Sequence, residues 1–131
     1  MNLEENYINL EESFFFDSYA FFEILGGNKN YDKYKEAEIV TTKLNLFELY
    51  IGILREKGES EAKEILDLYY PFAIEFDKEV IEEAAKLKNK LNKRNISMTD
   101  CIGYMAAKKL GIRFLTGDKE FENLDNVDFV K

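Results

Sequence analysis

Phe14-Phe15-Phe16-Asp17-Ser18 is the stretch from which the fold can be read. Three large apolar residues follow one another without polar alternation, and the run stops on a carboxylate. A strand buried on both faces, as in a parallel sheet, reads as such a continuous run; a half-exposed strand alternates. Further short runs lie outward along the chain. Residues 39–42 (Ile-Val-Thr-Thr) are β-branched, and residues 72–76 (Phe-Ala-Ile-Glu-Phe) follow Pro71, the only proline. Residues 112–116 (Ile-Arg-Phe-Leu-Thr) follow Gly111, and 127–130 (Val-Asp-Phe-Val) close the sequence.

Between these runs the apolar spacing becomes helical. Phe47, Tyr50, Ile51 and Leu54 define an amphipathic helix over 43–57, and Ala62, Ile65, Leu66 and Tyr69 define one over 60–70. Val80, Ile81, Ala84, Ala85, Leu87 and Leu91 do so for 78–94. Ile102, Met105, Ala106 and Leu110 do so for 98–111, which Gly111 ends as a C′ glycine. Short strands alternating with helices predict an α/β fold: a mainly parallel sheet of about five strands, covered on both faces. Residues 1–13 precede the first strand as an extension, an arm with some packing, and 14–131 form the domain.

Composition removes several kinds of chemistry. The 131 residues contain no histidine and one cysteine, Cys101. Serine or cysteine catalysis through histidine, Cys-rich zinc sites and intramolecular disulfides are therefore excluded, and Cys101 reads as an inert buried thiol. Hydrolysis has to rest on carboxylates, Lys, Tyr or a metal held by oxygen, which favours Mg²⁺, Mn²⁺ or Ca²⁺. No apolar run approaches the ~20 residues needed to span a bilayer, and the acidic start Met1-Asn2-Leu3-Glu4-Glu5 is unlike a secretory signal. A cytoplasmic protein is expected. Net charge is −8, so the overall field repels polyphosphates and any nucleic-acid role needs a local source of attraction.

In an open parallel sheet, ligands bind beyond the carboxyl ends of the strands. Asp17 ends the first strand, Asp118 follows the 112–116 strand, and Glu48 lies in the second turn of a helix that begins just after 39–42. Glu48 interrupts an apolar stripe between Leu44 and Ile51, where an unpaired carboxylate is costly. Asp100 opens the 98–111 helix three residues after Ser97, which also spells a capping box variant. Each of the others has an ordinary reading too. Asp17 suits a cap for a helix over 18–25, Asp118 a turn, Glu48 a surface residue. Those readings leave unexplained why four acids converge on one edge.

The stretch 14–18 resembles the opening motif of PIN domains: an apolar strand, an Asp, then a hydroxyl residue. Thr41 to Tyr50, with Glu48 among apolar residues, resembles their second motif. Asp100-Cys101-Ile102-Gly103 resembles the third, and Phe114-Leu115-Thr116-Gly117-Asp118 with Phe121 the fourth. The resemblance spans about 14–130 and implies a three-layer α/β/α fold and a ribonuclease using Mg²⁺ or Mn²⁺. The small single-domain members include VapC-like toxins of toxin–antitoxin pairs, so it also implies an antitoxin partner and a homodimer. Asp17, Asp100 and Asp118 would be direct or water-mediated metal ligands. Glu48 would complete the site or orient the attacking water, and Ser18 or Thr116 would hydrogen-bond a ligand carboxylate. Two departures stand out: Tyr19 where many members have a second small polar residue, and the long N-terminal extension.

Residues 77–113 carry nine Lys and Arg against five acids, a net of +4, while the rest of the chain balances at −12. Lys86, Lys90, Lys93 and Arg94 are candidates for an RNA rail, whose ordinary reading is a solvated helix face. Tyr19 is the aromatic placed to stack on a base. A haloacid-dehalogenase phosphatase would need an Asp at position 19. A response-regulator receiver would need paired acids after the first strand, and no P-loop sequence occurs. The alternative to a nuclease is a silent PIN-fold module acting through a protein partner.

Overall fold

The computed structural model describes residues 12–91 and 95–131. Among these residues the sheet has five strands: β1 (Ser13–Phe16), β2 (Glu38–Thr42), β3 (Ala73–Ile74), β4 (Arg113–Thr116) and β5 (Val127–Phe129). Their order is β3-β2-β1-β4-β5, and every pairing is parallel. The helices are α1 (Ser18–Leu25), α2 (Lys43–Lys57), α3 (Glu59–Tyr69), α4 (Lys78–Lys90) and α5 (Met98–Leu110). The α/β reading and the α/β/α layering are borne out.

Central β1 explains its own composition. Phe15 faces α4 and α5 with Val40 and Phe114, packed against Val80, Ala84, Leu87 and Ile102. Phe16 faces the other layer with Leu115, packed against Ala20, Phe21, Leu46, Leu49 and Tyr69. Both are fully buried, so neither position tolerates a polar residue. Gly103 lets α5 approach the sheet closely: a Cβ there would lie 2.7 Å from Cε1 of Phe15. Gly111 ends α5 in the left-handed conformation, φ +74°, as its sequence position implies.

Three expectations are corrected, and one unassigned stretch is resolved. The strand expected over 72–76 is reduced to Ala73 and Ile74, paired with Thr41 and Thr42. Pro71 instead starts a 3₁₀ turn over Tyr70–Phe72, since its fixed φ suits a turn and it has no N–H for a ladder. Residues 29–34, not assigned from sequence, form a 3₁₀ turn that buries Tyr31 and Tyr34. The helix over 43–57 is borne out, but its apolar stripe is only partly the covered one: Tyr50 packs on the core, and the face beside it is buried. Asn45, Leu46, Leu49 and Ile53 are buried, whereas Phe47 is 65% exposed and Leu54 42%. Likewise Ile81 of α4 is half exposed. The basic candidates Lys93 and Arg94 lie outside the described residues, as do residues 1–11 of the extension; Ser13 already belongs to β1.

The path between β3 and β4 has a definite solution. Lys109, at the end of α5, pairs with Asp77, the N-cap of α4. Lys88 Nζ, near the end of α4, donates to the Ile96 carbonyl at 2.8 Å. The two helices therefore form an antiparallel hairpin, and α5 starts at the carboxyl edge of the sheet. No described helix is long and apolar enough to cross a membrane.

Gly103→Ala is expected to destabilise the fold by about 1–2 kcal/mol, because crowding of the Phe15 ring outweighs the ~1 kcal/mol that alanine gains in helix propensity. Urea denaturation measures this; a variant as stable as the parent would show that α5 does not press on β1.

Candidate metal and nucleic-acid site at the carboxyl edge

The site is assembled by chain segments that leave the sheet at one end. Asp17 follows β1 and is 1% exposed. Its Oδ1 accepts the Ala20 N–H at 2.8 Å and so caps α1. Its Oδ2 accepts the hydroxyl of Thr116, from neighbouring β4. The Thr116 oxygen in turn accepts the Asp118 N–H at 3.0 Å, and Asp118 Oδ1 accepts the Glu120 N–H at 3.0 Å. One hydroxyl thus joins the first and last acids. On the other side, Ser18 Oγ donates to Glu48 Oε1 at 2.8 Å and lies 3.3 Å from the Asn45 carbonyl. Asp100 enters from the first turn of α5, where its N–H donates to Ser97 Oγ at 3.0 Å.

The ordinary capping readings and the convergence are therefore both present. Caps fix the loops, and the fixed loops bring the acids together. Burial pushes the Asp17 carboxyl up to about 8, with the charges of Asp100 and then Asp118 adding to it; Thr116 and the Ala20 N–H oppose the rise. Burial also lifts Asp100 to about 6, opposed by Ser97 and reinforced by Glu48 and Asp118. All four acids are thereby linked through field effects at close quarters. Glu48, Asp100 and Asp118 are partly exposed.

The donor set fits a hard divalent cation, since the side chains that meet here offer carboxylate and hydroxyl oxygens. Among the described residues, no three Asp, Glu or Cys side chains converge closely enough to hold a metal ion by themselves. The arrangement is one of coupled carboxylates rather than a closed ligand cage. Cys101 takes no part: it is buried, and burial pushes its thiol up to about 11.

The remaining candidates are dispersed. Lys86 is exposed on α4 and pairs with Glu83 at 3.2 Å; Lys90 is exposed on the same helix. Lys88, counted but not singled out in the sequence, lies on α4 between these two. It reaches the Ile96 carbonyl, and its charge is felt at Cys101, next to Asp100. Asn45 was also missed. It is fully buried, its Oδ1 accepts from Thr42 Oγ1 at 2.7 Å, and its Nδ2 has no partner among the described residues. The signal was present as Thr42-Lys43-Leu44-Asn45, a hydroxyl and an amide three residues apart at a helix start. Tyr19 stands beside the acids, packed against Gly117.

The PIN domain model matches residues 14–127. The VapC20 toxin of Mycobacterium tuberculosis, a sarcin–ricin loop cleaving toxin, superposes with a TM-score of 0.71 at 16% identity, covering 90% of this chain and 99% of that one. VapBC2 from Rickettsia felis, solved on a DNA fragment from its promoter, gives 0.69 at 16% identity over 91% and 99%. A toxin–antitoxin complex from Klebsiella pneumoniae gives 0.68 at 17% over 87% and 94%. At these identities the likeness is one of fold. No curated protein matches significantly.

The raised Asp17 pKa carries a sign. Its neutral form is favoured in the fold, so the stability it contributes is complete below the unfolded value near 3.8 and is lost as pH climbs toward about 8. Asp17→Asn cannot ionise. In EDTA it is expected to melt several degrees above the parent at pH 8.5, with a smaller gain at pH 5.5. Thermal scans at both pH values decide this; a gain that fails to grow with pH would refute the buried, ionising carboxylate.

Proposed function

This chain belongs to the PIN domain family, and on that premise we propose that it is a divalent-metal-dependent endoribonuclease, the toxin of a toxin–antitoxin pair. The observation that carries the reading is the coupling of four carboxylates from four separated segments at one sheet edge. A fold without use for that charge would not place Asp17 at 1% exposure within reach of Asp100 and Asp118.

Asp17, Asp100 and Asp118 would hold Mg²⁺ or Mn²⁺, directly or through water, as hard cations that keep part of their hydration are commonly held. When bound, such a cation lowers the pKa of water and offsets charge on a phosphoryl oxygen. The chain itself supplies position. Thr116 fixes the buried carboxylate of Asp17 and the backbone of Asp118. Ser18 holds Glu48, the most peripheral of the acids in its contacts, where it would orient the attacking water for in-line displacement. No histidine is required, in keeping with a chain that has none.

An antitoxin-like protein partner and self-association belong to the same reading. The exposed stripe of α2, Phe47 and Leu54, offers apolar surface for a partner, and relatives of the same fold were solved as toxin–antitoxin complexes. Cytoplasmic action on RNA follows from the same assignment. The alternative, a silent PIN-fold module working through its partner, is favoured by that apolar stripe and by the net charge of −8.

Purified protein is expected to cleave single-stranded RNA with Mn²⁺ or Mg²⁺ and to lose this with EDTA. Asp17→Asn and Asp100→Asn should each reduce cleavage roughly a hundredfold or more, beyond the ~10–100-fold lost when a residue that only hydrogen-bonds a metal ligand is removed. Folded variants that cut as fast as the parent would indicate a contaminant and sink the assignment. A silent parent that binds a small partner tightly would favour the module.

A further inference from the structure

Tyr19 occupies the position where the family resemblance leads one to expect a small polar residue. It stands on the first turn of α1, directly after Ser18, which holds Glu48. Its ring fills the place of a side chain at position 117. A Cβ on Gly117 would lie 2.1 Å from Cε1 and 2.5 Å from Cζ of the ring. Gly117 directly precedes Asp118, so the ring lies against the loop that carries the last acid, on the helix that Asp17 caps. The same Cβ would lie 2.6 Å from the Val130 carbonyl oxygen. That strand end is itself held: Val130 N–H donates to Thr116 O at 2.9 Å, and Tyr31 Oη donates to Val130 O at 2.6 Å. Lys131 then brings its ammonium to 5.9 Å from the Tyr19 ring centroid, with its carbonyl held by Asn30 Nδ2 at 2.8 Å.

A core plug would explain the packing but not the place. Tyr19 is only partly buried; the Lys131 ammonium lies over its ring, and the carboxylates of Glu23 and Asp17 lie within its field. An aromatic surface with an adjacent ammonium matches a base and its phosphate: the ring stacks on the base while the cation meets the backbone. A base within a duplex cannot present its face, because both sides are covered by neighbours in the stack.

Resting on the ribonuclease reading, we propose that Tyr19, seated on Gly117 and flanked by Lys131, is a stacking platform for an unpaired base beside the scissile phosphate. It makes Tyr19 a specificity-determining residue for the single-strand cleavage proposed above. Gly117 is part of the device, since any side chain there would expel the ring.

The test uses the full chain and separates binding from cleavage. A fluorescein-labelled single-stranded RNA and its duplex are titrated by anisotropy with Ca²⁺, and the same RNAs are incubated with Mn²⁺. The parent is expected to bind the single strand at least tenfold more tightly than the duplex. Tyr19→Phe keeps the ring and should retain this. Tyr19→Ser should weaken single-strand binding roughly ten- to a hundredfold, the scale of one lost base stack. Lys131→Ala should lessen the salt dependence of binding. Because Tyr19→Ser could disturb α1, single abasic substitutions along the RNA probe the parent directly, and one position should carry a loss of similar size. Equal affinity for strand and duplex, unchanged binding by a folded Tyr19→Ser, or no penalty at any abasic position would each overturn the platform. Strand-selective binding without cleavage in Mn²⁺ would instead retain the platform and defeat the nuclease.

Discussion

The carboxyl edge of the sheet depends on the hydrogen bond between the Thr116 hydroxyl and the Asp17 carboxylate. It ties two adjacent strands, β1 and β4, through side chains just where the backbone ladder gives out. The hydroxyl oxygen also accepts the Asp118 N–H, so it fixes the loop that carries the last acid. The second oxygen of Asp17 caps α1. That cap sets the direction of the helix bearing Ser18 and Tyr19, and Ser18 in turn positions Glu48 on α2. One buried pair thus distributes geometry to three of the four acids and to the aromatic beside them. Only Asp100 is placed independently, by the Ser97 cap and by the close approach of α5 at Gly103.

Such a centre works against the fold that contains it. A carboxylate 1% exposed and facing others of like charge raises its own pKa and weakens the protein once ionised. The compensation lies in the two apolar layers. Phe15 and Phe114 stack at 5.6 Å on one face, and Phe16 and Phe21 pack at 5.4 Å on the other. Buried aromatics of this size carry much of a small domain's burial energy. The run Phe14-Phe15-Phe16 therefore serves the site as well as the core: it is rigid, doubly covered, and ends where the charge begins.

Fold class was legible because β1 is buried on both faces and the helices keep a clear 3.6 period. The parts that were not legible share a physical cause. On α2, Phe47, Ile51 and Leu54 form one apolar stripe and Leu46, Leu49 and Ile53 another. Periodicity identifies the helix but not which stripe meets the sheet, and the second is the buried one. Pro71 makes β3 a two-residue strand, because the ring that seems to introduce a strand also shapes a 3₁₀ turn. The path through α4 depends on the Asp77–Lys109 contact between residues far apart in sequence, which no local pattern encodes. Among the site residues, Asp17 and Asp118 follow from strand ends. Glu48 stands out in the sequence as a charge between Leu44 and Ile51, both half-buried in the fold, and its contact with Ser18 ties it to the edge.

Charge distribution sets the terms on which this edge can meet a polyanion. With a net −8, long-range attraction of nucleic acid is absent or reversed. Recognition has to come from contacts that act within a few ångströms, where burial and geometry outweigh the overall field. Two cations lie on segments next to the acids: Lys88 reaches the Ile96 carbonyl and its charge is felt at Cys101, and Lys131 lies over the Tyr19 ring. A divalent cation at the carboxylates would add positive charge where the sequence places the most negative. On the proposed reading, the acidic surface would act as a filter, leaving non-specific polyphosphate unbound and admitting a strand able to engage a metal and the aromatic ring together. Selectivity on this view comes from requiring several short-range contacts at once, which an acidic protein can impose more strictly than a basic one.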